Sequence, residues 1–221
     1  GSDVKESDVI ERFRKMGATV HIGHNADYVQ GVDAVVRSTA IREDNPEIVA
    51  AKEQGITILH RSDIVKAVLD VTNGIAVAGA HGKTSTTSMI GQILVEGQME
   101  PTVIIGGEVD YLKGSSCLGK GEYSVVEADE SDGSFLKLRP KTIVITNIED
   151  DHMDHYKTME NLLNAFCQFV ETLPVDGKAV VCGDNDNIRY VMSKVERQFI
   201  TYGLEESNDY VAKNIHYEDS S

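Results

Sequence analysis

Residues 75–87 read IAVAGAHGKTSTT, and this stretch decides the fold. A short apolar run, typical of a buried strand, leads into a glycine-rich turn, and residues 88–97 are compatible with a helix. This order is that of a phosphate-binding loop, because glycines let successive N–H groups face an anion and the helix N-terminus favours negative charge. The sequence therefore predicts a phosphate site at the end of a strand.

The residues of this loop suit a bound phosphate chain. Lys83 can reach terminal phosphates, and the Thr84 hydroxyl can ligate Mg²⁺. Val77 departs from the general pattern, which places a further glycine there. The alternative is a glycine-rich turn that only caps a helix, and the order of strand, Gly-Lys-Thr and helix favours the phosphate loop. The predicted nucleotide-binding residues are Gly79, Ala80, His81, Gly82, Lys83, Thr84 and Ser85.

Length, composition and charge limit the classes of function. The chain has 221 residues, 41% of them hydrophobic, which is enough for one large or two modest domains. Its formal net charge of −15 disfavours non-specific binding to nucleic acid or to an anionic membrane. Its three cysteines are widely spaced and predict a reducing compartment. Without a membrane-length apolar run or a signal peptide in the sequence, we expect a cytoplasmic protein.

Strand-like and helix-like patterns alternate along the chain. Such alternation with short connections is typical of a parallel α/β sheet, which binds ligands at the carboxyl ends of its strands. One helical pattern ends near residue 69, with Ser62 as its predicted N-cap. The polar turn that follows, at 70–74, predicts a boundary between domains 1–72 and 73–221.

An acidic segment at 127–132 follows one of the predicted strands. Glu127 ends an apolar run, and a partly buried carboxylate there would need a partner. A magnesium ion shared with Thr84 would supply one, since Mg²⁺ prefers hard oxygen ligands together with phosphate and water. A solvated acidic turn is the alternative, and it stays open above all for Glu130 and Asp132.

A second polar segment, at 146–156, follows another predicted strand and contains Asn147 and His152. The neutral imidazole of His152 could bind a metal ion, or the side chain could hold a substrate carboxylate or phosphate. A histidine that is merely hydrogen-bonded in a polar loop is the alternative. The sequence assigns no role to the side chains of His81 and His155.

Three segments together resemble the Mur ligase family. They are residues 79–87, 127–135 and 146–154, in the family's order and at family-like separations, and the resemblance spans nearly the whole chain. The resemblance implies a partial Rossmann-like N-terminal domain, followed by a P-loop NTPase-like central domain with a mostly parallel sheet. It also implies that a glycine-rich opening element and a C-terminal domain lie outside this sequence, so that the fragment alone would be inactive.

The same resemblance implies an ATP-dependent ligase that joins L-alanine to UDP-N-acetylmuramate in peptidoglycan precursor synthesis. ATP with Mg²⁺ would convert the substrate carboxylate into an acyl phosphate, which the amine of L-alanine then attacks. The partners implied are these two substrates and ATP, without nucleic acid or membrane, for a monomer or weak homodimer.

Site residues follow from the resemblance position by position. Those that match catalytic residues are Lys83, Glu127, His152 and Asn147, the last near the reacting groups. Those that match metal ligands are Thr84, Glu127 and His152, with a substrate contact as the other possibility for His152. Those implied to line the uridine nucleotide site are Ser2, Asp3, Ser38 and Thr39.

Two other functions stay open from the sequence. One is a related ligase of this family acting on another carboxylate, such as murein tripeptide or folate, although residues 130–135 read closer to the L-alanine-adding type. The other is a nucleotide-binding module without catalysis. Amino-acid selectivity in a phosphate-release assay would distinguish the related ligase from the L-alanine-adding type. Calorimetry with ATP and Mg²⁺ would test for a nucleotide-binding module.

Overall fold

The structure, a computed structural model, describes residues 1–112 and 114–216. The chain forms two compact units, Gly1–Ile64 and Val65–Ser221. Strands and helices alternate in both, so the predicted α/β fold with a mostly parallel sheet is confirmed. Among the described helices, none combines the length and apolarity that a membrane crossing needs.

The first unit contains two small parallel sheets. In one, β1 (Ser2–Asp3) pairs with β2 (His21–Ile22), and in the other β3 (Ala34–Arg37) pairs with β4 (Thr57–His60). The helices beside them are α1 (Asp8–Lys15), α2 (Pro46–Glu53) and a 3-10 helix (Ala26–Val29). Asn45 begins α2 by accepting a hydrogen bond from Glu47 N at 2.9 Å.

Helix α3 (Arg61–Asp70) begins one residue before the predicted cap. Ser62 lies inside the first turn and its Oγ is 2.7 Å from His60 Nδ1, so the N-cap prediction is wrong. The carboxylate of Asp63 instead accepts a hydrogen bond from His60 N at 2.8 Å. Two neighbouring residues of capping type made the sequence ambiguous here.

The second unit is built on one eight-stranded sheet in the order β12-β11-β10-β9-β5-β8-β6-β7. Every neighbouring pair is parallel except β6 and β7. The strands are β5 (Asn73–Ala78), β6 (Thr102–Val109), β7 (Gly114–Cys117), β8 (Tyr123–Glu127), β9 (Thr142–Ile145), β10 (Lys178–Cys182), β11 (Gln198–Gly203) and β12 (Tyr210–Val211).

Helices cover this sheet and complete its core. They are α4 (Lys83–Glu96), α5 (Met153–Tyr156), α6 (Met159–Glu171), α7 (Asp186–Lys194) and two 3-10 helices, Asp110–Leu112 and Ser134–Lys137. The apolar face of α6 buries Phe166 and Phe169, which contact Phe135 at ring-centroid distances of 5.4 and 4.7 Å. This aromatic group packs the segment that follows β8 against α6.

Three local features of this unit do not follow from the sequence patterns. The glycine pair Gly106–Gly107 lies inside β6, and the segment through Cys117 forms the antiparallel strand β7. Helix α4 begins at Lys83, immediately after the phosphate loop, and not at Ser88. Apolar periodicity misses glycine-rich and serine-rich strands because their pairing, and not their side chains, defines them.

The strand order explains why the three motifs meet. Strands β9, β5 and β8 are parallel neighbours, so their carboxyl ends lie at the same edge of the sheet. The polar segments that follow these strands therefore begin side by side: 146–152 after β9, 79–82 after β5 and 128–132 after β8.

Candidate active site

The phosphate loop between β5 and α4 adopts a conformation that requires glycine. Gly79 and Gly82 have φ of 134° and 80°, where other residues are strained. A Cβ atom added to Gly79 would lie 2.3 Å from Thr146 Oγ1 and 2.8 Å from the Asn147 carbonyl oxygen. The loop thus lies directly against the segment that follows β9.

The segment after β9 holds the loop through the backbone of His81. Asn147 Oδ1 accepts a hydrogen bond from His81 N at 2.9 Å, and Asn147 Nδ2 donates to His81 O at 3.0 Å. Thr146 Oγ1 donates to the same carbonyl at 2.6 Å. Asn147, which the resemblance implies to be near the reacting groups, contacts the loop in the structure, and we infer that it positions the loop.

We expect Asn147→Ala to weaken ATP binding by about tenfold, because two hydrogen bonds that fix the loop, each worth about 1 kcal/mol, are lost. Calorimetric titration of ATP–Mg²⁺ into the variant measures the effect. The control is Asn73→Ala at the other end of β5, where the amide accepts a hydrogen bond from Lys141 Nζ at 2.7 Å. Equal affinities of the two variants would contradict the inferred role.

Lys83 folds back across the loop and pairs with a buried carboxylate. Its Nζ donates to the Gly79 carbonyl at 2.6 Å and to Glu130 Oε1 at 2.7 Å. The side chain of Glu130 is only 2% exposed, and its second oxygen, Oε2, is buried without a hydrogen-bond partner in the described part of the chain. Glu130 is thus a member of the site that the sequence-based set of site residues omits.

Burial of Glu130 results from the turn after β8. Asp129 Oδ1 accepts a hydrogen bond from Ser131 N at 3.0 Å, and the Glu130 carbonyl accepts one from Gly133 N at 3.1 Å. The same carbonyl accepts a hydrogen bond from the Tyr156 hydroxyl. Burial raises the pKa of Tyr156 far above its usual value, and the negative charge of Glu130 adds to the shift, so the hydroxyl stays a donor.

His152 lies beside this pair in an uncommon backbone conformation. Its φ of 56° and ψ of 33° are left-handed, which is unusual for a residue other than glycine. The imidazole Nε2 is 3.5 Å from Glu130 Oε1 and 3.6 Å from Asp151 Oδ2. The structure therefore brings His152 to the Lys83–Glu130 pair, and its role as a metal ligand stays a prediction.

Thr84 and Glu127 suit a magnesium ion. Glu127 Oε1 is buried without a hydrogen-bond partner within residues 1–112 and 114–216, as expected of a carboxylate that binds a cation. Glycines of β6 make room for both side chains: a Cβ on Gly106 would lie 2.7 Å from Glu127 Oε2, and one on Gly107 would lie 3.5 Å from Thr84 Cγ2. These hard oxygens fit Mg²⁺.

No group of three or more His, Cys, Asp or Glu side chains among the described residues is arranged to hold a metal ion. A magnesium ion at Thr84 and Glu127 would therefore take its other ligands from phosphate and water, as Mg²⁺ commonly does. His81 contributes its backbone to the loop, while its side chain is 70% exposed, with Nε2 3.5 Å from Glu149 Oε2. His155 packs edge-on against Tyr156, with ring centroids 4.7 Å apart.

The first unit has a separate cavity of about 300 Å³. Ser2 lines it, and its Oγ donates to Glu47 Oε1 at 2.7 Å. His24 Nδ1 is 3.0 Å from the same carboxylate oxygen, so three polar groups converge at the cavity wall. The sequence indicated Ser2 but missed His24 and Glu47, which come close to it only in the folded unit.

The other predicted substrate residues are placed differently. Asp3, Ser38 and Thr39 are not among the described residues that line this cavity. Thr39 Oγ1 lies 3.2 Å from His60 Nε2. Of the four, only Ser2 is therefore brought to the cavity.

Comparison with protein families gives matches over almost the whole sequence. The model of the Mur ligase middle domain matches residues 77–221, and the model described as Mur ligase family, catalytic domain, matches residues 1–71. These two ranges correspond approximately to the two compact units.

Individual relatives are similar over nearly the full chain. A UDP-N-acetylmuramate–L-alanine ligase from Desulfatibacillum aliphaticivorans is 44% identical, with 97% of this chain and 47% of the relative covered. Another, from Pelotomaculum thermopropionicum, is 46% identical, with 97% and 47% covered. The chain spans about half the length of these curated relatives. The crystal structure of UDP-N-acetylmuramate–alanine ligase from Thermotoga maritima aligns with a TM-score of 0.81 at 29% identity, covering 93% of this chain and 46% of that one.

Proposed function

The chain belongs to the Mur ligase family, and from this premise we propose that it carries the ATP-binding half of a ligase that joins L-alanine to UDP-N-acetylmuramate. Relatives that are 44% and 46% identical are named for that reaction. The observation that carries the proposal is the meeting of three motifs at one sheet edge, where Lys83 contacts both Gly79 and Glu130. A reaction in which ATP activates a carboxylate needs such a site.

The proposed reaction has two steps. The carboxylate of UDP-N-acetylmuramate attacks the γ-phosphorus of ATP, and ADP leaves with the bonding electron pair, which gives an acyl phosphate. The amine of L-alanine then attacks the acyl carbon, the tetrahedral intermediate expels phosphate, and the amine loses a proton. The product is an amide, and one ATP is converted to ADP and phosphate for each amide bond formed.

The residues of this chain act in the first step by position and charge. Loop N–H groups and the N-terminus of α4 (Lys83–Glu96) would bind the phosphate chain, and the Lys83 ammonium would bind its terminal phosphates. Asn147 would stabilise the conformation of the loop through its two hydrogen bonds to the His81 backbone. Thr84 and Glu127 would hold Mg²⁺, which offsets negative charge on the phosphates when bound. Phosphoryl transfer depends mainly on such positioning and electrostatics.

We propose that the cavity beside Ser2 contributes to the nucleotide-sugar site, with Asp3, Ser38 and Thr39 as further candidates from the resemblance. The convergence of Ser2, His24 and Glu47 on a 300 Å³ cavity supports this role for Ser2. A cytoplasmic location follows from the proposed substrates, ATP and a nucleotide sugar.

We also propose the domain division at 72/73. The family models support it, since one ends at residue 71 and the other begins at 77, while the compact units divide between Ile64 and Val65 within α3. The murein-tripeptide and folate alternatives are not favoured, because both relatives described above are named for L-alanine ligation.

Substrate-dependent formation of ADP tests the proposed function. The complete product of the coding sequence that contains these 221 residues is given ATP–Mg²⁺ with each substrate alone and with both. We expect sustained ADP release only when UDP-N-acetylmuramate and L-alanine are both present. D-alanine and murein tripeptide serve as controls. Sustained turnover with a control substrate and none with the proposed pair would overturn the assignment.

A further inference from the structure

We propose that Glu130 is a positioning residue whose negative charge holds Lys83 and lowers the affinity of the phosphate loop for ATP. The proposal rests on the proposed function, because it takes the loop to be the ATP site. Glu130 would act through Lys83, whose Nζ donates a hydrogen bond to Glu130 Oε1 at 2.7 Å. Glu130 thereby sets how strongly the loop attracts phosphate.

The contacts of Lys83 show how its charge is used. Two of the three ammonium protons are bound by the Gly79 carbonyl and Glu130 Oε1, at 2.6 and 2.7 Å. The ammonium group is therefore fixed beside the first glycine of the loop and faces a full negative charge. A phosphate that approaches Lys83 must compete with Glu130 for it.

The environment of Glu130 makes this competition strong. Its side chain is 2% exposed, so water screens its charge poorly. Apolar side chains of Ile148, Leu162 and Phe166 line the small space next to it, together with His152. One carboxylate oxygen, Oε2, has no hydrogen-bond partner within the described residues, and the other, Oε1, has Lys83 Nζ at 2.7 Å and His152 Nε2 at 3.5 Å.

Coulomb's law gives the size of the effect. At an effective dielectric constant of about 20, two unit charges separated by about 7 Å interact by roughly 2 kcal/mol. Loss of the Glu130 charge therefore strengthens phosphate binding by about tenfold after allowance for screening. A lower affinity for ATP is compatible with catalysis, since tight binding of the ground state alone does not accelerate the chemical step.

The test is the affinity for ATP–Mg²⁺ of this chain and two variants, measured by calorimetry. Glu130→Gln keeps the shape and an acceptor oxygen but removes the charge, and Glu130→Met removes both charge and acceptor at similar volume. We expect each variant to bind ATP–Mg²⁺ about tenfold more tightly than the unaltered chain. A purely structural role would instead lower affinity, since damage to the loop cannot improve it.

Glu122→Gln is the control for a simple change of net charge, because Glu122 is exposed and precedes β8 at its opposite end. The affinity of Glu122→Gln for ATP–Mg²⁺ should stay within about twofold of that of the unaltered chain. Unchanged or weaker binding by both Glu130 variants would overturn the proposal, as would their failure to fold by circular dichroism, since Glu130 would then serve folding.

Failure of the underlying function gives a different result. If neither the unaltered chain nor any Glu130 variant binds ATP–Mg²⁺, the assignment of the ATP site is wrong, and the role proposed for Glu130 is wrong as well. If the unaltered chain binds, Lys83→Ala does not, and the Glu130 variants show no gain, the ATP site stands and only the proposal for Glu130 fails.

Discussion

Replacement of Lys83 by alanine is expected to lower the affinity for ATP–Mg²⁺ by about a hundredfold or more. The variant loses the side chain that can form charge-assisted hydrogen bonds to the terminal phosphates, which are about twice as strong as neutral ones. It also leaves the buried carboxylate of Glu130 without its partner at 2.7 Å. Loss of one member of a buried ion pair destabilises a protein by about 3 kcal/mol or more.

Two further variants separate these effects of Lys83→Ala. In Lys83→Ala/Glu130→Ala the unpaired carboxylate is removed, so thermal stability should recover relative to Lys83→Ala while ATP binding stays weak. Lys141→Ala, at the opposite end of the sheet, is the matched control for loss of a lysine. ATP binding close to that of the unaltered chain in Lys83→Ala would contradict the role given to Lys83.

Substitution of Gly79 by alanine is expected to have the second large effect, the loss of a functional loop. The Cβ atom would overlap Thr146 Oγ1, at 2.3 Å, and the Asn147 carbonyl, at 2.8 Å, and neither distance occurs between such atoms in folded proteins. Because backbone must shift to relieve the overlap, the contacts that hold His81 are broken. We expect ATP affinity to fall by about a hundredfold, with a loss of stability of about 2–4 kcal/mol.

Gly82→Ala in the same loop isolates the cost of the backbone conformation. Gly82 also has a positive φ, 80°, but an added Cβ would meet nothing closer than Thr146 Cγ2 at 3.9 Å. Only the left-handed strain of about 1–2 kcal/mol is expected there. Urea unfolding and calorimetry measure both variants. Equal destabilisation by Gly79→Ala and Gly82→Ala would show that the close approach to Thr146 is unimportant.

The sequence predicted the architecture well where patterns are local. Alternating strands and helices, the phosphate loop and the sheet edge on which the motifs meet all follow from apolar runs and glycine placement. Strand β7 was not predicted, because its sequence Gly-Ser-Ser-Cys is not apolar and it forms only through its pairing with β6. Helix α5 is too short for a periodic signal.

The site was predicted less completely, because burial of a side chain depends on tertiary contacts. Among the four carboxylates of the acidic segment the sequence indicated burial of Glu127, and it did not indicate that Glu130 also turns inward. Glu130 is buried because Tyr156 and Gly133 bind its carbonyl, and both lie outside that segment. Likewise, the amide of Asn147 contacts His81 through a pairing of β5 and β9 that the sequence alone does not show.

ATP–Mg²⁺ is expected to bind where the three motifs meet, and NMR titration of the ¹⁵N-labelled chain tests this directly. The largest amide shifts should fall at residues 79–85, 127–130 and 146–152, and Lys83→Ala should suppress them. Residues of the first unit should change little. Saturable shifts that lie elsewhere, with these three segments unperturbed, would contradict ATP binding at this sheet edge.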